Sequence, residues 1–343
     1  MDKTHTSDEI IKLYGLFFLL SSALIILFVI NVGTGSVNVP FFETCMIIMK
    51  HVTGTIHGAI IWKIRMPRIF SALFCGSYLA VAGLLLQVFF RNPIVGPYIL
   101  GISSGASMMV GLVMLAGFGM GVMGIHPFIL SITAFCGASL VMVIIVTMAS
   151  RIKNIITLLI IGLMIGYLCN AVTSILIAFA EKEQVKGFVL WQMGSFSGFT
   201  WQELELIVFA GIPLLAGAYL MSKPLNAFLL GEDYAKTMGV NIKIFRCLIV
   251  TVSSALSGLV TAFAGPVAFI GLAVPHMARL MFRTSNNRVI IPASILTGAI
   301  VTVACDLVAR TMFSPVELPL SAITSFFGAP VIIILLFRRR AVI

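Results

Sequence analysis

Residues Arg91–Ser107 read RNPIVGPYILGISSGAS, and long apolar runs flank them on both sides. Two prolines, three glycines and three serines in this stretch cannot belong to the middle of an ordinary helix. Proline lacks the N–H that the helix ladder needs, and its ring clashes with the preceding turn. A chain this apolar that is interrupted here must satisfy its backbone some other way. The surroundings set the problem. The 343 residues are 60% hydrophobic and 10% charged, with a mean hydropathy of +1.12. A soluble domain carries about 25% charged residues, so this chain belongs in a bilayer. Its apolar runs are continuous and do not alternate, which excludes a transmembrane barrel. They are about 20 residues or longer, enough for a helix to cross about 30 Å of hydrocarbon.

Working outward from Arg91, ten spans are expected: 12–31, 68–90, 95–118, 127–149, 155–179, 204–221, 244–264, 267–283, 289–312 and 319–337. The first run, Leu13–Ile30, follows a polar start and reads as a retained span. The eighth is short and is expected to break at Pro275. An even count places both termini on one side. Of the 22 lysines and arginines, 15 then share that side, and the positive-inside rule makes it cytoplasmic. Net charge of +10 therefore reflects loop placement and not nucleic-acid binding. Arg65, Arg68 and Arg310 break the bias, standing at span mouths on the outer side. The chain reads as one transmembrane domain, 1–343, with a cytoplasmic loop at 222–243. In that loop Leu225, Phe228 and Leu229 have helical spacing, and GEDYAKTMG reads as a second short helix between glycines.

The chemistry signals are few. GISSG, Gly101–Gly105, fits the G-x-S-x-G nucleophile pattern. An intramembrane hydrolase using Ser103 or Ser104 would need a base on a facing helix, and only His276 stands in or near a span. Small residues more often let helices pack closely. GLMIG, Gly162–Gly166, offers another helix such an approach. No phosphate-binding loop is present, so any ATP used in transport is hydrolysed by another chain. The six cysteines are scattered, none at metal or redox spacing. No cofactor and no metal site is expected. Asp306 and Arg310, four apart, share a helix face and can pair locally. RNPIVGP and AGPVAFIG begin what look like corresponding helices in two halves.

Five segments in order carry a resemblance over most of the chain. They are WKIRMPRIFSALFCGSYLAVAGLLLQVFFRNPIVGPYILGISSGAS, WQMGSFSGFTW, LNAFLLGEDYAKTMGVN, AGPVAFIGLAVPHMARLM and CDLVARTMFSPVELPLSAITSFFGAPVIIILLFRRR. The sequence resembles the FecCD family, permease subunits of ATP-binding-cassette importers for iron–siderophore complexes, haem and vitamin B12. The resemblance implies an all-α fold of about ten membrane helices with inverted halves, in a bacterial cytoplasmic membrane. It implies a second permease, either the same chain or a paralogue, and two ATPase subunits. It also implies an extracytoplasmic substrate-binding protein, a metal-chelate substrate and surrounding membrane lipid. Asn92, Pro93 and Ile94 match an inner gate. Ile155 and Ile156 stand where some relatives carry small polar gate residues. Leu229, Gly231, Glu232, Asp233, Tyr234, Ala235, Met238 and Gly239 match the segment that couples to the ATPase. Arg65, Arg68 and Arg310 match positions that dock acidic groups of the binding protein. Vitamin B12 or haem is the alternative cargo; a serine hydrolase and a passive channel are alternatives of other classes.

Overall fold

The computed structural model describes residues 3–35, 37, 39–116, 127–152 and 154–340. Ten apolar helices occupy the ten expected positions: α1 (Lys3–Gly33), α4 (Met66–Phe89), α5 (Ile102–Met114), α6 (Pro127–Arg151), α7 (Ile155–Phe179), α9 (Trp201–Leu220), α12 (Ile242–Ala264), α13 (Ile270–Phe282), α14 (Asn287–Thr311) and α15 (Leu320–Arg340). Between them lie α2 (Phe41–Lys50), α3 (Ile56–Ala59), α8 (Lys182–Gln192), α10 (Ser222–Leu230) and α11 (Glu232–Thr237). Among the described residues, seven segments are long and apolar enough to cross a membrane, and α5, α13 and Leu320–Ile334 of α15 are shorter. The ends of the expected third span (117 and 118) and the residues 119–126 lie outside the described residues.

The helix starts carry their own caps. The Asn154 side chain accepts from the amides of Ile156 and Thr157, Asn241 caps α12 and Asn286 caps α14. Each satisfies amides that a helix start leaves unpaired. Glu181 with Gln184, and Thr200 with Glu203, form reciprocal capping boxes on α8 and α9. The α8 box gives a helix to a polar stretch that hydropathy alone reads as loop.

Three boundaries differ from the sequence expectation. The second span begins not at 68 but at Ile56, where Thr55 caps α3. One π-helical stretch, Ile60–Arg65, carries it into α4. The third span is a helix of only 13 residues, about 20 Å at 1.5 Å per residue. Before it come the Arg91–Gly96 turn, one 3₁₀ turn at Pro97–Leu100 and Gly101 at φ 74°. The eighth span also has 13 residues, and it runs unbroken through Pro275. Proline there frees the Gly271 carbonyl from the ladder. That carbonyl faces α4 so closely that a Cβ on Gly83 would overlap it. A neighbouring helix thus occupies the space that a kink would otherwise open.

The two halves pack alike. α4 lies on α14 as α12 lies on α6, α5 on α6 as α13 on α14, and α5 on α7 as α13 on α15. α4 and α12 meet at the centre, and α4 is buried on nearly every side. Both half-length helices start from a left-handed residue, Gly101 and Phe269. Gly101 rests on Gly162 and Gly166 of α7, and Phe269 rests on Gly328 of α15. The small pair in GLMIG therefore receives the broken segment before α5. Inverted halves, faint in the sequence, are plain in this exchange of contacts.

The Gly83 contact can be tested. Gly83→Ala should lower the melting temperature of the purified protein, because overpacking costs about 1–3 kcal/mol and here the obstacle is backbone. Gly217→Ala on α9, which meets nothing within 4 Å, should leave it unchanged or higher. Equal melting of both variants and wild type would show that α4 and α13 have room to part.

Candidate functional site: two polar ends of the bundle

At one end of α4 the three expected arginines converge, and all three are buried: Arg65 3%, Arg68 7% and Arg310 8% exposed. The Arg68 fork grips Asp306, with Nε 3.0 Å and 3.1 Å from its two oxygens and Nη2 2.9 Å from Oδ1. Its other edge reaches Glu317, 2.7 Å from Nη1 and 3.1 Å from Nη2. Two carboxylates thus share one planar guanidinium, the geometry that arginine provides and lysine does not. Arg310 Nη2 donates to the Asn31 carbonyl at 2.5 Å and to Asn31 Oδ1 at 2.6 Å. Arg65 Nη1 donates to the carbonyls of Val32 (2.6 Å) and Gly33 (3.1 Å), and Nη2 to that of Val37. Gly35 leaves the space this needs, since a Cβ there would lie 2.7 Å from Arg65 Nη2.

The local Asp306–Arg310 pair that helical spacing allows is therefore not what forms. Antiparallel packing of α4 on α14 brings Arg68 level with Asp306, and Arg310 turns to the end of α1. Sequence reasoning missed Glu317 and Asn31. Their partners lie 249 and 279 residues away, and no spacing rule reaches that far.

At the opposite end of α4 lies the RNP turn. Arg91 has φ 46°. Its guanidinium lies 5.3 Å from the centre of the Phe228 ring and donates to the Phe228 carbonyl at 3.3 Å. Asn92 Oδ1 accepts from the Ile94 amide, which closes the turn. Asn92 and Pro93 are half-buried and Ile94 is 43% exposed. Just above, Gln87 donates to the Leu272 carbonyl at 3.0 Å and accepts from Arg279 at 2.8 Å. The turn is thus tied to α10 on one side, and its helix to α13 on the other. Ile156, at the start of α7, is 68% exposed and Ile155 is half-buried.

The turn adjoins α10, which leads into α11. Asn226 of α10 bonds Asn286 and Asn287 at the start of α14, at 2.8–2.9 Å. Gly231 (φ 136°) and Gly239 (φ 84°) bound α11, conformations that side chains strain. Glu232 pairs with Arg246 at 2.6 Å, and Arg246 also donates to the Ile152 carbonyl at 3.1 Å. Leu229, Tyr234 and Met238 are 38%, 46% and 64% exposed, and Asp233 and Gly239 are also exposed. Ala235 is wholly buried. The segment is thus a fixed knob whose outer surface is apolar and carries Asp233 and Lys236.

The serines of GISSG do packing work. Ser103 Oγ lies 3.3 Å from the Thr261 hydroxyl, a group that cannot act as a base.

The comparisons with known proteins agree over nearly the whole chain. A family model described as the FecCD transport family matches residues 23–338. The vitamin B12 import system permease protein BtuC of Klebsiella pneumoniae is 37% identical over 280 residues, 82% of this chain and 83% of that protein. The protein of the same name from Salmonella typhi is 36% identical over 278 residues, 81% and 83% of the two chains. Among solved structures, one described as an inward-facing conformation of a metal-chelate type ABC transporter superposes with a TM-score of 0.83. It is 28% identical and covers 94% of this chain and 99% of its own. The chain belongs to the FecCD transport family, and it is a multi-pass permease subunit of an ABC importer, a transport subunit and not an enzyme.

Proposed function

We propose that this permease carries a large metal chelate, an iron–siderophore complex or a related compound, across a bacterial inner membrane. An extracytoplasmic binding protein delivers it. The observation that carries this reading is the near-complete superposition on a metal-chelate type transporter. Vitamin B12, itself a metal chelate, is the second reading, favoured by the 37% identity to a protein named for its import. Permeases of this kind work with ATPase partners and a second permease. In this reading both termini are cytoplasmic, and so is the end bearing α10 and α11.

The α10–α11 knob is the element that meets the ATPase, through Leu229, Asp233, Tyr234 and Met238. Gly231, Glu232, Ala235 and Gly239 hold its shape. The turn at Asn92, Pro93 and Ile94 is the inner gate. It touches α10 through Arg91, so movement of the knob is passed to the turn by direct contact. At the other end, Arg65, Arg68 and Arg310 serve the binding protein by shaping the mouth on which it seats. Their guanidinium groups hold the last turn of α1 and the link before α15, and Glu317, 40% exposed, carries the network to the surface.

Three measurements test these assignments. Ferric siderophores, haem and vitamin B12 should be titrated against the cognate binding protein and then against uptake in cells lacking this permease. A chelate that binds and restores uptake only with the permease present is expected, and uptake independent of the permease refutes the reading. Met238→Glu should abolish uptake while the protein still reaches the membrane and melts normally. ATPase stimulation at the wild-type level would remove the knob from the coupling path. Arg68→Ala leaves Asp306 buried and unpaired, which costs about 3–5 kcal/mol. The double variant Arg68→Met, Asp306→Asn should recover most of that stability in a detergent melt. If the single variant melts as wild type and only binding-protein affinity falls, Arg68 contacts the partner directly.

A further inference from the structure

A polar groove of about 700 Å³ lies where α6 ends and α12 begins, beneath α11. Arg151, Lys236 and Lys243 line it and are exposed. None of the three forms an ion pair among the described residues. Two acids also line the groove. Glu232 is already neutralised by Arg246, which leaves Asp233 against three cations. The excess is therefore two positive charges in one concave site. Its remaining wall includes Ala149, Ile152 and Ile242, residues at the very ends of two membrane-spanning helices. Apolar side chains beside unpaired cations, at the depth where a span leaves the hydrocarbon, fit an amphiphilic anion and not a freely soluble one.

We propose that this groove binds the phosphate headgroup of an anionic phospholipid, with the glycerol portion against Ile152 and Ile242. Basic residues beside the cytoplasmic end of membrane helices attract anionic headgroups, each contributing roughly a fivefold preference. The bound headgroup sits against α11, so it links lipid composition to the element that meets the ATPase. That link rests on the coupling role given above, whereas the binding rests only on the cytoplasmic placement of this end. A soluble partner's acidic surface would satisfy the same charges, and it is treated as an outcome below.

The test uses the permease purified with its partner ATPases in nanodiscs of phosphatidylcholine containing phosphatidylglycerol. Phosphatidylglycerol retained after stepwise delipidation is counted by native mass spectrometry. Wild type should retain it preferentially over phosphatidylcholine. The triple variant R151Q/K236Q/K243Q should retain on the order of a hundredfold less. A charge-conserving variant, R151K/K236R/K243R, should behave as wild type and thereby controls for folding. Equal retention in wild type and the glutamine variant overturns the proposal. So does full displacement of the lipid by inorganic phosphate at millimolar concentration, which marks a simple phosphate site. Loss of the ATPase subunits with lipid retention intact overturns it in favour of a protein seat. ATPase turnover measured with and without phosphatidylglycerol separates the two claims. Lipid retained without any change in turnover supports the site and refutes its link to coupling.

Discussion

Backbone meets backbone where α4 crosses its neighbours, and the rest of the bundle is arranged around that contact. Gly83 admits the Gly271 carbonyl of α13, and Gly76 lies against Gly298 of α14. Helices in lipid gain little from excluding lipid, since hydrocarbon is as apolar as leucine. They gain from close packing, and small residues allow it. The same contact explains how α13 keeps its course through Pro275. It also explains why α4 is largely apolar and buried on nearly every side. The second half repeats the device, with Gly258 of α12 against Ala138 of α6.

Charge is then confined to the two ends. At one end, Arg68 brings Asp306 and Glu317 onto one guanidinium, and Arg65 and Arg310 spend their donors on the last turn of α1 and on Val37 just beyond it. Buried charges in such a place are costly unless each has a partner. The network therefore fixes loops that would otherwise have no apolar reason to hold position. At the other end the contacts are more exposed. Arg246 joins α11 to the end of α6 through Glu232 and Ile152, and Arg91 joins the RNP turn to α10.

The two broken segments sit between these ends. Each replaces half a membrane span with a turn and a left-handed residue, and each is received by glycine on another helix: Gly101 by α7, Phe269 by α15. Irregular backbone at this depth is tolerated because protein, not lipid, surrounds it. A cavity of about 330 Å³ lies between them, lined by Tyr98, Ser103, Thr261 and Phe269 among others. RNPIVGPYILGISSGAS is thus one of two matched interruptions around which the halves are related.

Much of this was legible beforehand. Apolar length and continuity determine an all-helical membrane protein with ten apolar segments, because a bilayer leaves the backbone no other way to satisfy itself. Prolines and glycines located the interruption after Arg91, since their limits are local and act in any fold. The short helix α11 followed from the two glycines that bound it, and α10 before it from the spacing of Leu225, Phe228 and Leu229. The sequence did not reveal that the second span starts at Ile56, that α13 passes through Pro275, or that Arg68 holds Asp306 while Arg310 holds Asn31. Those outcomes depend on which helices lie side by side. A hydrogen bond between residues 238 or 279 positions apart is decided by antiparallel packing, whereas the equally possible pair four apart on one helix loses. Local rules rank what a residue can reach within its own helix, and only the assembled bundle determines which partner lies nearer.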